Sequence, residues 1–202
     1  MRLSKRVMLL VVFVLCASAV FAQERRRQIE LFGGAAIPLA PQEFKDYYKI
    51  GGSLHGQYVL FPSPNLGVSL GLAVEGFTVD QDAVLADAGL TGTGVEIDAS
   101  ASIVEIGVGL RPYLTPQTAN TQFFLFGMAT YNALSEEATA TFGGETLYSA
   151  KADGSNLGLA AGAGFEVPAG EKLNIIVQGL TRFIFTEGST TSFLGVTLGV
   201  VF

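Results

Sequence analysis

Ser192-Phe193-Leu194-Gly195-Val196-Thr197-Leu198-Gly199-Val200-Val201-Phe202 ends the sequence in strict two-residue alternation. Leu194, Val196, Leu198, Val200 and Phe202 fall on one side, opposite Phe193, Gly195, Thr197, Gly199 and Val201, a mostly small side. Successive side chains of a strand point to opposite faces, so this is a β-strand with one bulky apolar face. It stops on an aromatic residue with no polar tail, where a soluble domain is usually ragged and hydrated. A strand like this needs a neighbour on each edge. Pairing the last strand with the first, in a closed barrel, meets that need and leaves no edge.

The other end reads as a processing signal. Arg2, Lys5 and Arg6 give a basic start, residues 7–15 are an unbroken apolar run, and Val20-Phe21-Ala22 places small residues where a signal peptidase cuts. The run is too short to span a bilayer as a helix. Cys16 follows Leu15 instead of the small residue of a lipoprotein signal, so the mature chain is expected to carry no thiol or disulfide chemistry. The expected division is a cleavable signal peptide, 1–22, and one domain, 23–202. Three of the 12 basic residues and none of the 18 acidic ones lie in the signal, which leaves nine against 18, a charge of −9. That balance argues against nucleic acid as a partner. Yet hydrophobic residues make up 49% and mean hydropathy is +0.43, without an internal run of 18 apolar residues. Hydrophobicity spread over many short segments is the pattern of a transmembrane β-barrel.

Seven further alternating segments precede the last, at about 28–37, 50–61, 66–78, 101–113, 122–133, 156–167 and 173–185. The predicted fold is all-β, an eight-stranded antiparallel up-and-down transmembrane barrel. Connections after even strands are short and built of breakers, as in Pro62-Ser63-Pro64-Asn65. The four after odd strands are longer and polar: 38–49, the acidic 79–100, 187–191, and 134–155, whose Gly143-Gly144 reads as the turn of a hairpin that continues strands five and six. Short turns inside and long loops outside are the rhythm of an outer-membrane barrel.

Parity follows from magnitude. An arginine on the lipid face at mid-membrane costs about 2–4 kcal/mol, so Arg182 faces inward. Period two then brings His55, Glu75, Glu105 and Gln178 inward with it, as a lumenal polar cluster, and Arg111, Glu166 and Glu30 form a lower tier. The inward side is rich in glycine and alanine, which suits an eight-stranded lumen only wide enough for side chains. Strand five is apolar on both sides. Its Gly127 and Ala129 are assigned to the small inner face, leaving Phe124, Phe126 and Met128 on the lipid. Tyr58, Phe61, Tyr113, Phe124, Phe165, Phe185 and Phe202, near strand ends, read as interfacial girdles.

With this pattern the chain resembles the small eight-stranded outer-membrane barrels, the OmpA/OmpX-type and opacity-protein group, over residues 23–202. The last strand resembles the assembly signal of such proteins, with Gly195, Leu198, Val200 and Phe202 as its marks. The resemblance implies a bacterial outer-membrane location among lipid and lipopolysaccharide, and insertion by the barrel-assembly machinery. It implies a bare barrel, without the peptidoglycan-binding domain of some relatives.

Few residues suggest chemistry. His55 is the single histidine, and Ser53-Leu54-His55 sets a hydroxyl and an imidazole on one face. Lipid A deacylases, also barrels of the outer membrane, use a His-x-Ser pair with a nearby glutamate; here the order is reversed and the pair points into the lumen. No metal or cofactor is expected, because the loop acids lack the spacing of a calcium loop. The reading is a non-enzymatic barrel with a plugged lumen and a structural or surface-interaction role. An extracellular protein partner would meet loops 79–100 and 134–155. A lipid A-modifying enzyme and a narrow porin-like channel are the alternatives.

Overall fold

The computed structural model describes residues 27–116, 119–170 and 173–202; the expected signal peptide, 1–22, lies outside them. Eight strands form one closed antiparallel ring in sequence order: β1 Arg27–Ala40, β2 Gly51–Ser63, β3 Leu66–Thr78, β4 Val95–Pro112, β5 Gln122–Phe142, β6 Glu145–Pro168, β7 Asn174–Thr186 and β8 Ser189–Val201. The last strand closes on the first, with Glu30 opposite Val201 and Gly33 opposite Leu198. Beyond that ladder Phe202 and Ile29 exchange backbone hydrogen bonds in both directions, at 2.9 and 3.2 Å.

Alternation sorts the side chains as a barrel requires. Leu54 and Leu157 are 66% and 68% exposed on the outside, with Leu72, Ile106 and Leu198 among their neighbours in exposure. The opposite parity is buried. Inside, an apolar cluster of Phe32, Val59, Phe61, Phe124 and Ile176 fills the end with the short turns. A second cluster of Ala36, Phe77, Ile103, Ile184 and Phe193 fills the end with the long loops. An outside this apolar is stable only against hydrocarbon, since contact with water would cost about 25 cal/mol for each Å² left wet.

Strand β5 overturns one expectation. Phe124, Phe126 and Met128 are buried in the lumen, and Gly127 and Ala129 face out. The space comes from glycines on the flanking strands β4 and β6 and on β3 beyond them. A Cβ at Gly107 would stand 3.0 Å from the Met128 methyl, one at Gly71 3.1 Å from it, and one at Gly164 would strike the Phe124 ring. Large residues on one strand thus fill what small residues on its neighbours leave open. For the same reason Phe61, Tyr113 and Phe124 are lumenal and do not belong to an outer girdle, whereas Tyr58, Phe165, Phe185 and Phe202 are exposed on the outside.

The long connections hold more structure than their polarity suggested. Between β1 and β2 lies helix α1, Gln42–Tyr47, whose Phe44 is buried. Between β3 and β4 lies α2, Gln81–Asp87, capped by the Asp80 carboxylate, which accepts from the Ala83 amide at 3.4 Å. Strands β4, β5 and β6 rise past the rest of the ring. Val95 pairs with Phe142, and the β5–β6 hairpin turns at Gly143-Gly144, both with positive φ, which glycine adopts without strain. β6 gains its second neighbour, β7, only from Gly158 onward, so its first part has a free edge.

Candidate functional site

Two groups of charged side chains occupy the lumen. Arg182 on β7 donates through Nε to both carboxylate oxygens of Glu105 on β4, at 3.1 and 3.2 Å, and its Nη2 is 3.2 Å from Glu75 on β3. His55 on β2 joins them, its Nε2 being 3.2 Å from Glu75 and 3.1 Å from Arg182 Nη2. All four side chains are buried. Nearer the short turns, Arg111 on β4 makes a forked pair with Glu30 on β1, accepted at one oxygen at 2.8 Å. It also donates to Gln57 at 2.7 Å and lies 4.5 Å above the Phe124 ring. The planar guanidinium suits this fork-and-stack arrangement. Glu166 accepts from Asn174 and lies outside the Arg111 fork.

Of the five residues expected in the upper cluster, four meet. Gln178 is buried on the inward face of β7, opposite Thr197 of β8, but neither of its amide atoms is hydrogen-bonded within the described residues. Period two gives a face and says nothing of reach along or across the lumen. Phe193 was missed as a partner, and Gln57, expected beside His55, accepts from Arg111 instead. Phe193 lies under Arg182 at 5.5 Å, and Gln57 sits one turn of alternation from His55, so inward parity was the signal for both.

Ser53, His55 and Glu75 are also mutual neighbours, since Ser53 contacts His55 Nε2 and reaches Glu75 at 3.5 Å. The serine, the glutamate and Arg182 all converge on that one ring nitrogen, while Nδ1 has no partner among the described residues. A hydroxyl-activating relay uses the two nitrogens separately, one toward the nucleophile and the other toward the acid. This arrangement does not. Among the described residues no group of three or more His, Cys, Asp or Glu side chains is placed to hold a metal ion.

At the long-loop end a cavity of about 240 Å³ opens between α1 and the wall of β4 and β5. Phe44 and Tyr48 form one side, with ring centroids 5.2 Å apart and planes tilted by 50°. Burial first, and then the Glu136 charge, push the Tyr48 phenol above its ordinary value. Tyr47 donates to Asp87 at 2.7 Å, tying α1 to α2, and that bond raises its own phenol. The surrounding segments are strongly acidic. Residues 41–50, 79–100, 134–157 and 187–188 contain 12 acidic residues and three lysines, two of which, Lys49 and Lys151, pair with Asp80 and Glu137.

Ring closure, an apolar exterior and buried charge pairs that, within the ring, all face inward define a transmembrane β-barrel of the outer-membrane type. Solved structures share that fold. Neisserial surface protein A aligns over 89% of this chain and 98% of its own, with a TM-score of 0.52 and 8% identity. A major outer membrane protein from Thermus thermophilus aligns over 88% and 99%, with a TM-score of 0.60 and 14% identity. Ail, the attachment invasion locus protein of Yersinia pestis, in complex with the heparin analogue sucrose octasulfate, aligns over 88% and 99%, with a TM-score of 0.52 and 11% identity. No family model matches the sequence, and no curated protein matches it either. What is shared is the eight-stranded outer-membrane barrel itself.

Proposed function

We propose that the chain is a bacterial outer-membrane barrel with a plugged lumen, which acts through its long-loop end as a structural or surface-interaction protein. The observation that carries the closed lumen is the stacking of apolar and ion-paired layers along it. Phe61 and Phe124 sit at one end, the Arg111–Glu30 and Arg182–Glu75–Glu105 groups follow, and Phe77 and Phe193 lie at the other. Eight strands leave room for little else. Purified and reconstituted in planar bilayers, the protein should give no stable single-channel conductance. Steady openings would make it a narrow channel.

The part that meets the outside is the raised β4–β6 sheet with loop 79–100. Phe142, Leu147 and Tyr148 are exposed near its tip, and loop tips on a rigid scaffold are common contact sites. Ail binds a sulfated sugar analogue in the structure compared above. The excess of 12 acids over three lysines makes a polyanion the wrong ligand for this chain, and favours a partner that brings positive charge. Residues 1–22 would direct export. Gly195, Leu198, Val200 and Phe202 would be read by the barrel-assembly machinery, and lipopolysaccharide would surround the external rim.

A further inference from the structure

The cavity at the long-loop end has a composition that the surface-interaction reading leaves unused. Its apolar side is a corner of two rings, Phe44 and Tyr48, set at 50° with centroids 5.2 Å apart. They are four residues apart along α1 and the residue that ends it, so they project from one side of the same turn. The corner is held in place. Phe44 packs edge-on against Phe77 at 5.0 Å, and the neighbouring Tyr47 is anchored to Asp87. Glu43 and Glu136 line the same cavity, and no lysine or arginine does. Neither carboxylate is in an ion pair among the described residues.

We propose that this cavity binds a small quaternary ammonium, seated against the Phe44 and Tyr48 rings with its charge answered by Glu43 and Glu136. An aromatic face attracts a cation through its quadrupole, most strongly when the site is partly desolvated. A quaternary ammonium presents that charge through apolar methyl groups, and so fits a cavity that is mostly apolar inside and acidic at the edge. An uncharged apolar ligand would cover the two carboxylates and offer them nothing in return. The acidic segments around the mouth add to the attraction by raising the local concentration of cations. They also disfavour an ammonium that carries a phosphate with it, so a free small cation fits better than a phosphocholine headgroup. The site uses β4 and β5 as one wall, near the base of the raised sheet, whereas Phe142, Leu147 and Tyr148 are exposed near the sheet's tip.

The test uses the full protein in maltoside micelles, which contain no choline, and follows the N-methyl proton resonance of choline by NMR. Seating over the rings should move that resonance upfield in a saturable way. Choline should bind about tenfold more tightly than 3,3-dimethylbutan-1-ol, its uncharged isostere. Glycerophosphocholine should bind more weakly than choline. Glu136→Gln, on an exposed side chain, should bring choline and the isostere to within about threefold of each other, since the charge term is what separates them. Tyr48→Leu, which leaves only the Phe44 ring, should reduce the upfield shift while the unboiled protein keeps its folded gel mobility. Equal affinity for choline and its isostere, no saturable shift, tighter binding of glycerophosphocholine, or an unchanged affinity in Glu136→Gln would each overturn the proposal.

Discussion

Arg182 holds Glu75 and Glu105 apart electrically, donating to one through Nη2 and to the other through Nε. Without it, two buried carboxylates would share a lumen with only His55 to answer them. Breaking a buried pair from one side typically costs about 3–5 kcal/mol, because a charge is left without its partner. Arg182→Leu should therefore lower the free energy of unfolding by roughly that amount, measured in urea with the protein in lipid vesicles. Asp87→Asn, an exposed change in α2, should stay within about 0.5 kcal/mol. Equal losses would show that the lumenal group contributes nothing special. At this scale the sequence disclosed which face each charged residue occupies, because a charge on the lipid side costs too much. It could not disclose Gln178's separation from the cluster, since that depends on where side-chain tips end across the lumen.

The strand where reading failed is β5. Phe123 through Ala129 are apolar or small on both parities, so nothing in that stretch tells inside from outside. The missing mark lay just beyond it. Thr130 and Asn132 share the parity of Phe124, Phe126 and Met128, and both are buried and inward. Carrying that polar parity back down the strand would have placed the bulky residues in the lumen. The helices α1 and α2 escaped notice because six and seven residues make too short a window for a 3.6-residue period. The glycines that accommodate β5 give a direct check. At Gly164 a Cβ would meet the Phe124 ring and stand 2.6 Å from the Val177 carbonyl, whereas at Gly33, on the outside, it would meet nothing within 4 Å. Gly164→Ala should cost about 1–3 kcal/mol as overpacking does. Gly33→Ala should be neutral or stabilise by about 0.4–1 kcal/mol through the unfolded chain. A reversed order in urea titrations would contradict the packing of β5.

For the molecule as a whole, eight strands and their order were legible, because each rests on period two and on turn residues. The long connection expected at 187–191 is instead the two-residue turn Glu187-Gly188, since Ser189 to Thr191 already pair with β7. The height of the β4–β6 sheet was legible only in part. The diglycine announced the hairpin, but the early start of β4 at Val95 was hidden in an acidic segment that reads as loop. The seam between Ile29 and Phe202 has a consequence of another kind. With those two residues exchanging hydrogen bonds, the ring has no privileged starting point. A circular permutant, opened between Pro64 and Asn65 and joined from Phe202 to Arg27 by a short flexible linker, keeps all eight ladders. It should refold from urea into micelles as readily as the original order. Under the proposal that Gly195, Leu198, Val200 and Phe202 are read by the assembly machinery as a terminal strand, it should accumulate unassembled inside a bacterium. Normal insertion of the rearranged chain would mean that the machinery recognises this strand's face wherever it falls.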